Sequence, residues 1–99
     1  MTEEKFREII LNSNSSYKFL RAGQGYWLGV NEKGEDEFYY IPTMGKKYKE
    51  NCINYLKQHS NNIRKGFFLE GVVFKKEEYN ELLQLGCDAM EQKIRELSQ

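Results

Sequence analysis

Several residue types are scarce in this chain of 99 residues. It holds one proline, one histidine, one tryptophan and two cysteines, and fifteen Lys plus Arg balance fifteen Asp plus Glu. Two cysteines, Cys52 and Cys87, are too few for a disulfide scaffold and fit a reducing compartment. Zero net charge leaves no whole-chain field that calls for nucleic acid or an anionic membrane. No apolar run approaches the roughly 20 residues of a membrane span. The opening Met1-Thr2-Glu3-Glu4 is acidic where a signal peptide is basic and then apolar, so a cytoplasmic protein without a membrane partner is expected. There is no Cys-x-x-Cys, no His pair and no tight carboxylate cluster, which argues against a metal or other cofactor. What the chain does have is aromatic side chains, 14% of its residues, each able to bury a large area. That content and length suit one domain spanning residues 1–99.

The pattern along the chain reads as α+β. Thr2 caps a first helix whose Phe6, Ile9 and Ile10 fall at helical spacing. The polar stretch Asn12–Ser16 follows as a loop. Tyr17–Ala22, Tyr26–Val30 and Glu37–Ile41 read as three strands joined by short polar connections, an antiparallel meander that Pro42 stops. A second helix is expected over Lys46–His59, broken by Asn61-Asn62. Gly66–Phe74 reads as a fourth strand, and a last helix as Glu77–Leu97. Gly86 in the middle of that helix weakens it by about 1 kcal/mol relative to Ala, so close packing or a kink is expected there. The expected fold is a four-stranded, mainly antiparallel sheet with three helices, in the order α-β-β-β-α-β-α. The apolar stripe of the last helix is longer than one small sheet covers, which points to a homodimer.

No catalytic constellation emerges. Cys52 and His59 lie seven residues apart on one helix, about 10 Å along its axis, too far for a nucleophile–base pair. Gly23, Gly25 and Gly29 lead into a strand where a phosphate-binding loop needs a helix. Lys65-Gly66-Phe67 resembles the start of an RNA-recognition-motif signature, but Phe68 fills a slot that needs a small residue. The chain is therefore expected not to be an enzyme.

Charge is uneven locally. Between Pro42 and Gly66, six cations face the single acid Glu50. A helix, a three-stranded meander and a helix opening Gly45-Lys46-Lys47-Tyr48-Lys49 is similar in order to a double-stranded-RNA-binding domain over residues 2–59. That resemblance implies phosphate contacts from the lysines of the second helix. It yields an alternative reading, a nucleic-acid-binding α-β-β-β-α module using the basic segment Lys46–Lys65, with Lys46, Lys47, Lys49, Arg64 and Lys65 as its contacts. The chain departs from that family in everything after Ser60.

The meander carries the main functional signal. A symmetric connection over residues 31–36 sets Trp27 opposite Tyr40, Leu28 opposite Tyr39 and Gly29 opposite Phe38. One face then holds Leu20, Ala22, Tyr26, Leu28, Val30, Tyr39 and Ile41. The other holds Tyr17, Phe19, Arg21, Trp27, Phe38 and Tyr40, with Arg21, Trp27 and Tyr40 in a cation–π row. The first reading is that the chain's own helices cover both faces or that the register is shifted by one residue; the second is that the aromatic face recognises a partner. The second reading makes Arg21, Trp27, Phe38 and Tyr40 partner-binding residues of a small inhibitor, adaptor or regulator, the type of accessory protein that phages and mobile elements encode. Trp27 is then partly exposed and contributes more to binding than to stability.

Overall fold

The computed structural model describes residues 1–13, 15 and 17–99. Helix α1 spans Glu3–Leu11, and the Thr2 hydroxyl oxygen accepts a hydrogen bond from the Lys5 N–H at 3.2 Å, as an N-cap should. Strands β1 (Tyr26–Val30) and β2 (Asp36–Tyr40) form a single antiparallel hairpin. Helix α2 spans Lys46–Gln58 and α3 Ser60–Arg64, with His59 between them. Helix α4 runs over Tyr79–Leu97. The class is α+β, but with a two-stranded sheet and four helices rather than four strands and three helices.

Two expected strands are absent, and local hydrogen bonds show why. Lys18–Arg21 is a tight 3-10 turn in which the Leu20 N–H donates to the Tyr17 carbonyl and the Ala22 N–H to that of Phe19. The turn lets the neighbours Phe19 and Leu20 both enter the interior, at 2% and 4% exposure, where a strand would send them to opposite faces. In Gly66–Phe74, Gly66 (φ 84°) and Gly71 (φ 77°) are both left-handed. The Leu69 N–H donates to the Gly66 carbonyl and the Val72 N–H to that of Leu69, closing two successive turns. Without the first strand there is no three-stranded meander, and the order shared with double-stranded-RNA-binding domains is not present.

The α2 boundary falls close to expectation, but Asn61-Asn62 does not end the helical path. The chain resumes as α3, which sends Ile63 fully into the core. Buried residues from α1, the 18–21 turn, β1, α2, α3, the 67–72 turns and α4 make one apolar cluster. Helix α4 packs against α1, α2 and α3. Gly86 is a seat for Phe68: a Cβ there would lie 2.1 Å from the ring tip, so the ring rests on the helix backbone. Leu82, Gly86, Met90, Lys93 and Leu97 are buried by the chain itself. Of the stripe that suggested a homodimer, Leu82, Gly86, Met90 and Leu97 are thus covered from within, Leu83 and Ile94 are half-buried, and Tyr79 is exposed.

The base of the hairpin is tied to α4 by charge. The Lys93 ammonium, 6% exposed, donates to the Gly23 carbonyl at 2.6 Å and lies 3.2 Å from Glu96. The other Glu96 oxygen accepts from the Gly25 N–H at 2.8 Å. Burial pulls the Lys93 amine below the usual lysine range, against the attraction of Glu96. The turn before β1 is held in place by this latch, and so is the hairpin it launches.

Candidate functional site

The register of the hairpin decides which aromatic residues reach solvent. Tyr26 lies opposite Tyr40, Trp27 opposite Tyr39, Leu28 opposite Phe38, Gly29 opposite Glu37 and Val30 opposite Asp36. This differs by one residue from the symmetric pairing. The Asn31 side-chain oxygen accepts from the Lys33 and Glu35 N–H groups at 2.9 and 3.0 Å, and its backbone carbonyl accepts from Gly34. Gly34 is left-handed, and the Asn31 N–H donates to the Glu35 carbonyl. Asn31 and Glu35 are therefore paired, and the loop has the odd length Glu32-Lys33-Gly34. One residue of slip exchanges the partners on every face.

The inner face carries Trp27, Gly29, Glu37 and Tyr39. Trp27 is 7% exposed, stacked on Phe19 at 6.2 Å and met edge-on by Tyr55 at the same distance. Tyr55 and Tyr17 in turn flank the His59 ring at 4.5 and 6.1 Å. Gly29 leaves a notch beside Trp27, and the Tyr48 hydroxyl fills it: a Cβ at Gly29 would lie 2.5 Å from that oxygen. Tyr48 meets Tyr39 edge-on at 5.4 Å. The Glu37 carboxylate beside Tyr39 holds its phenol above the usual range, and burial does the same for Tyr48 and Tyr55.

The outer face carries Tyr26, Leu28, Val30, Asp36, Phe38 and Tyr40. Leu28 is buried, but Tyr26, Val30, Phe38 and Tyr40 stand 44–59% exposed. Tyr26 and Tyr40 pair across the strands at 5.3 Å. The three exposed rings offer roughly 200–400 Å² of apolar surface, the size of patch that on small proteins is often functional. The tip beside it is acidic: Glu32, Glu35, Asp36 and Glu37 against Lys33 give residues 26–40 a net charge of −3. The described ion pairs within reach of this tip consist of Lys18 to Asp36, at 2.5 Å.

The four residues expected to bind a partner are therefore split. Phe38 and Tyr40 are exposed on one face. Trp27 lies in the core, which corrects its expected exposure, and it does not share a face with Tyr40. Arg21 turns toward the loop before it, donating from Nη2 to the Ser15 carbonyl at 3.1 Å. The expected cation–π row is absent among the described residues. Tyr26 and Val30 join Phe38 and Tyr40 instead; the pair Asn31 and Gly34, three apart, was the sequence signal for the odd loop that puts them there.

The basic residues form two groups rather than one. Lys46 and Lys47 are exposed at the start of α2, and the Lys49 ammonium donates to the Gln99 carbonyl at 3.2 Å. Arg64 and Lys65 lie beyond the other end of α2, a helix of 13 residues and about 20 Å in length. Arg64 is also engaged, by the Ser60 hydroxyl at 3.3 Å and Glu91 at 3.6 Å.

Burial pushes the Cys52 thiol up to about 11 and raises that of Cys87. Neither thiol is therefore activated as a thiolate near neutral pH. Among the described residues no group of His, Cys, Asp or Glu is placed to hold a metal ion, and no helix is long and apolar enough to cross a membrane. A cavity of about 120 Å³ between α1 and α4 is lined by Phe6, Arg7, Phe19, Asp88 and Lys93 among others. Compared with protein-family models, with curated proteins and with solved structures, the chain matches none.

Proposed function

We propose that the chain is a non-enzymatic protein-interaction module, an inhibitor, adaptor or regulator, that binds its partner through the outer face of the β1–β2 hairpin. The observation that carries this reading is the exposure of Tyr26, Val30, Phe38 and Tyr40 together on one face of a two-stranded sheet. Aromatic residues dominate the energetics of protein interfaces, and here they sit on a scaffold that an ionic latch and a buried tryptophan hold still. The acidic tip favours protein over nucleic acid at this surface, because carboxylates repel phosphates. The separation of the two basic groups by a helix length weakens the alternative on the other side of the molecule.

The test is capture from a nuclease-treated lysate of the source cell, comparing the parent with a Phe38→Thr/Tyr40→Thr variant. Threonine keeps the β preference of both sites. Partners held by the parent and lost by an equally stable variant support the reading. Capture that survives both substitutions, or that vanishes on nuclease treatment of the parent, overturns it.

A further inference from the structure

We propose that the open edge of β2 accepts a third strand from the partner, an extended segment in which aliphatic residues alternate with Lys or Arg. This rests on the interaction reading above and gives the partner a chemistry.

The edge follows from the ladder. The Asn31 N–H donates to the Glu35 carbonyl and the Ile41 N–H to that of Gly25, both at 2.8 Å. Bonds in an antiparallel pair alternate, so Glu35, Glu37, Tyr39 and Ile41 turn their backbone groups toward β1, and Asp36, Phe38 and Tyr40 turn theirs away. The Tyr40 carbonyl accepts from the Thr43 hydroxyl at 2.8 Å. Among the described residues, the N–H groups of all three and the carbonyls of Asp36 and Phe38 have no hydrogen-bond partner. The edge of β1 is different, because the Lys18–Arg21 turn lies against that strand. Apart from the half-buried Tyr39, β2 is exposed throughout. An unpaired, exposed edge with apolar side chains is a template for strand addition.

The side chains along that edge specify the occupant. On the outer face an added strand runs beside Phe38 and Tyr40, which suits aliphatic residues. On the other face it runs beside Glu37 and Tyr39, which suits Lys or Arg, and Glu35 and Glu32 at the tip extend the demand for positive charge. A second copy of this chain fits less well. It brings the same three-charge acid surplus, and an edge of five residues buries far less than the roughly 800 Å² per partner typical of stable dimers.

The experiment uses the whole protein and three short peptides: alternating Lys and Val, alternating Glu and Val, and the Lys–Val peptide N-methylated at every residue, which removes the backbone donors from both of its edges. Amide hydrogen exchange at Asp36, Phe38 and Tyr40 is followed by NMR. The Lys–Val peptide is expected to slow exchange at these amides by about tenfold or more, with binding that weakens as salt rises. The Glu–Val peptide and the N-methylated peptide are expected to leave them fast. Unchanged exchange with the Lys–Val peptide overturns the third strand, as does equal binding of the Glu–Val peptide. Equal binding of the N-methylated peptide also overturns it while leaving the side-chain face as the contact. Slow exchange already in the free protein, with two chains per particle by light scattering, assigns the edge to a second copy instead. Failure of the interaction reading itself shows separately, as capture unaffected by Phe38→Thr/Tyr40→Thr.

Discussion

The two faces of one hairpin carry similar side chains and meet opposite fates. Inside, Trp27 and Tyr39 are covered by Phe19, Tyr48 and Tyr55. Outside, Tyr26, Phe38 and Tyr40 stand 44–59% exposed, with Tyr26 and Tyr40 paired across the strands. Composition does not separate the two sets. What separates them is the parity of a three-residue loop, set by the Asn31 side chain and the left-handed Gly34. An aromatic residue on a strand therefore supports stability or recognition according to register, and register is decided at the turn.

The largest expected effect breaks the inner face. Trp27→Ala removes the ring that Phe19 and Tyr55 pack against and should cost about 3–5 kcal/mol, much of the stability of so small a domain. Urea unfolding measures it. A loss below 1 kcal/mol would mean that the inner face is not core.

Next in size is Gly86→Ala, which asks whether α4 tolerates what the inner face does not. Alanine improves helix propensity by about 1 kcal/mol. Its Cβ would nevertheless fall 2.1 Å from the Phe68 ring. A net loss of about 1–3 kcal/mol is expected, partly recovered when Phe68→Leu shortens the opposing side chain. Gly23→Ala, with open space around its Cβ, is the control and should change little. A stabilising Gly86→Ala would show that Phe68 does not rest on that glycine.

How far these features were legible in the sequence depends on whether their cause was local. Thr2 before Phe6 and Ile10 marked α1, because a cap and a helical period act within a few residues. Gly86 announced either close packing or a kink, without deciding between them or naming Phe68 as the neighbour. Tyr17–Ala22 and Gly66–Phe74 were misread because their β-prone residues report burial, and turns bury such residues as well as strands do. Gly66 and Gly71, five residues apart, were the overlooked sign in the second segment. The candidate site was legible only in part. Its aromatic character was plain, but the one-residue slip moved Trp27 inside and brought Tyr26 and Val30 out beside Phe38 and Tyr40.

Alkaline pH gives a smaller effect confined to the inner side. In the unfolded chain the Cys52 thiol ionises near pH 9, whereas burial holds it protonated to about 11 in the fold. Between these values the unfolded chain has lost a proton that the fold keeps, so this contribution to stability declines as pH rises from 9 to 11. Tyr48 and Tyr55 act in the same sense at higher pH, and Lys93, whose pKa is lowered, acts in the opposite sense. The measurement is therefore a difference: urea unfolding of the parent and of Cys52→Ala across that range. The variant should show the shallower decline. Parallel curves would assign the loss to Cys87 and the tyrosines.

The smallest expected effect falls on the outer face, and its smallness is what distinguishes the two. Phe38 is 59% exposed, and it lies opposite Leu28 rather than any member of the core cluster. Phe38→Thr keeps a β-branched residue on an exposed strand and should change stability by no more than about 0.5–1 kcal/mol. Trp27 reports on the inner face without a label, since it is the only tryptophan. Its emission should be blue-shifted and shielded from acrylamide in the parent and unchanged in Phe38→Thr. A loss above 2 kcal/mol, or a red shift of Trp27, would show that the outer ring supports the core through the sheet. The exposed aromatics would then belong to the fold, and the partner would have to be sought elsewhere on the surface.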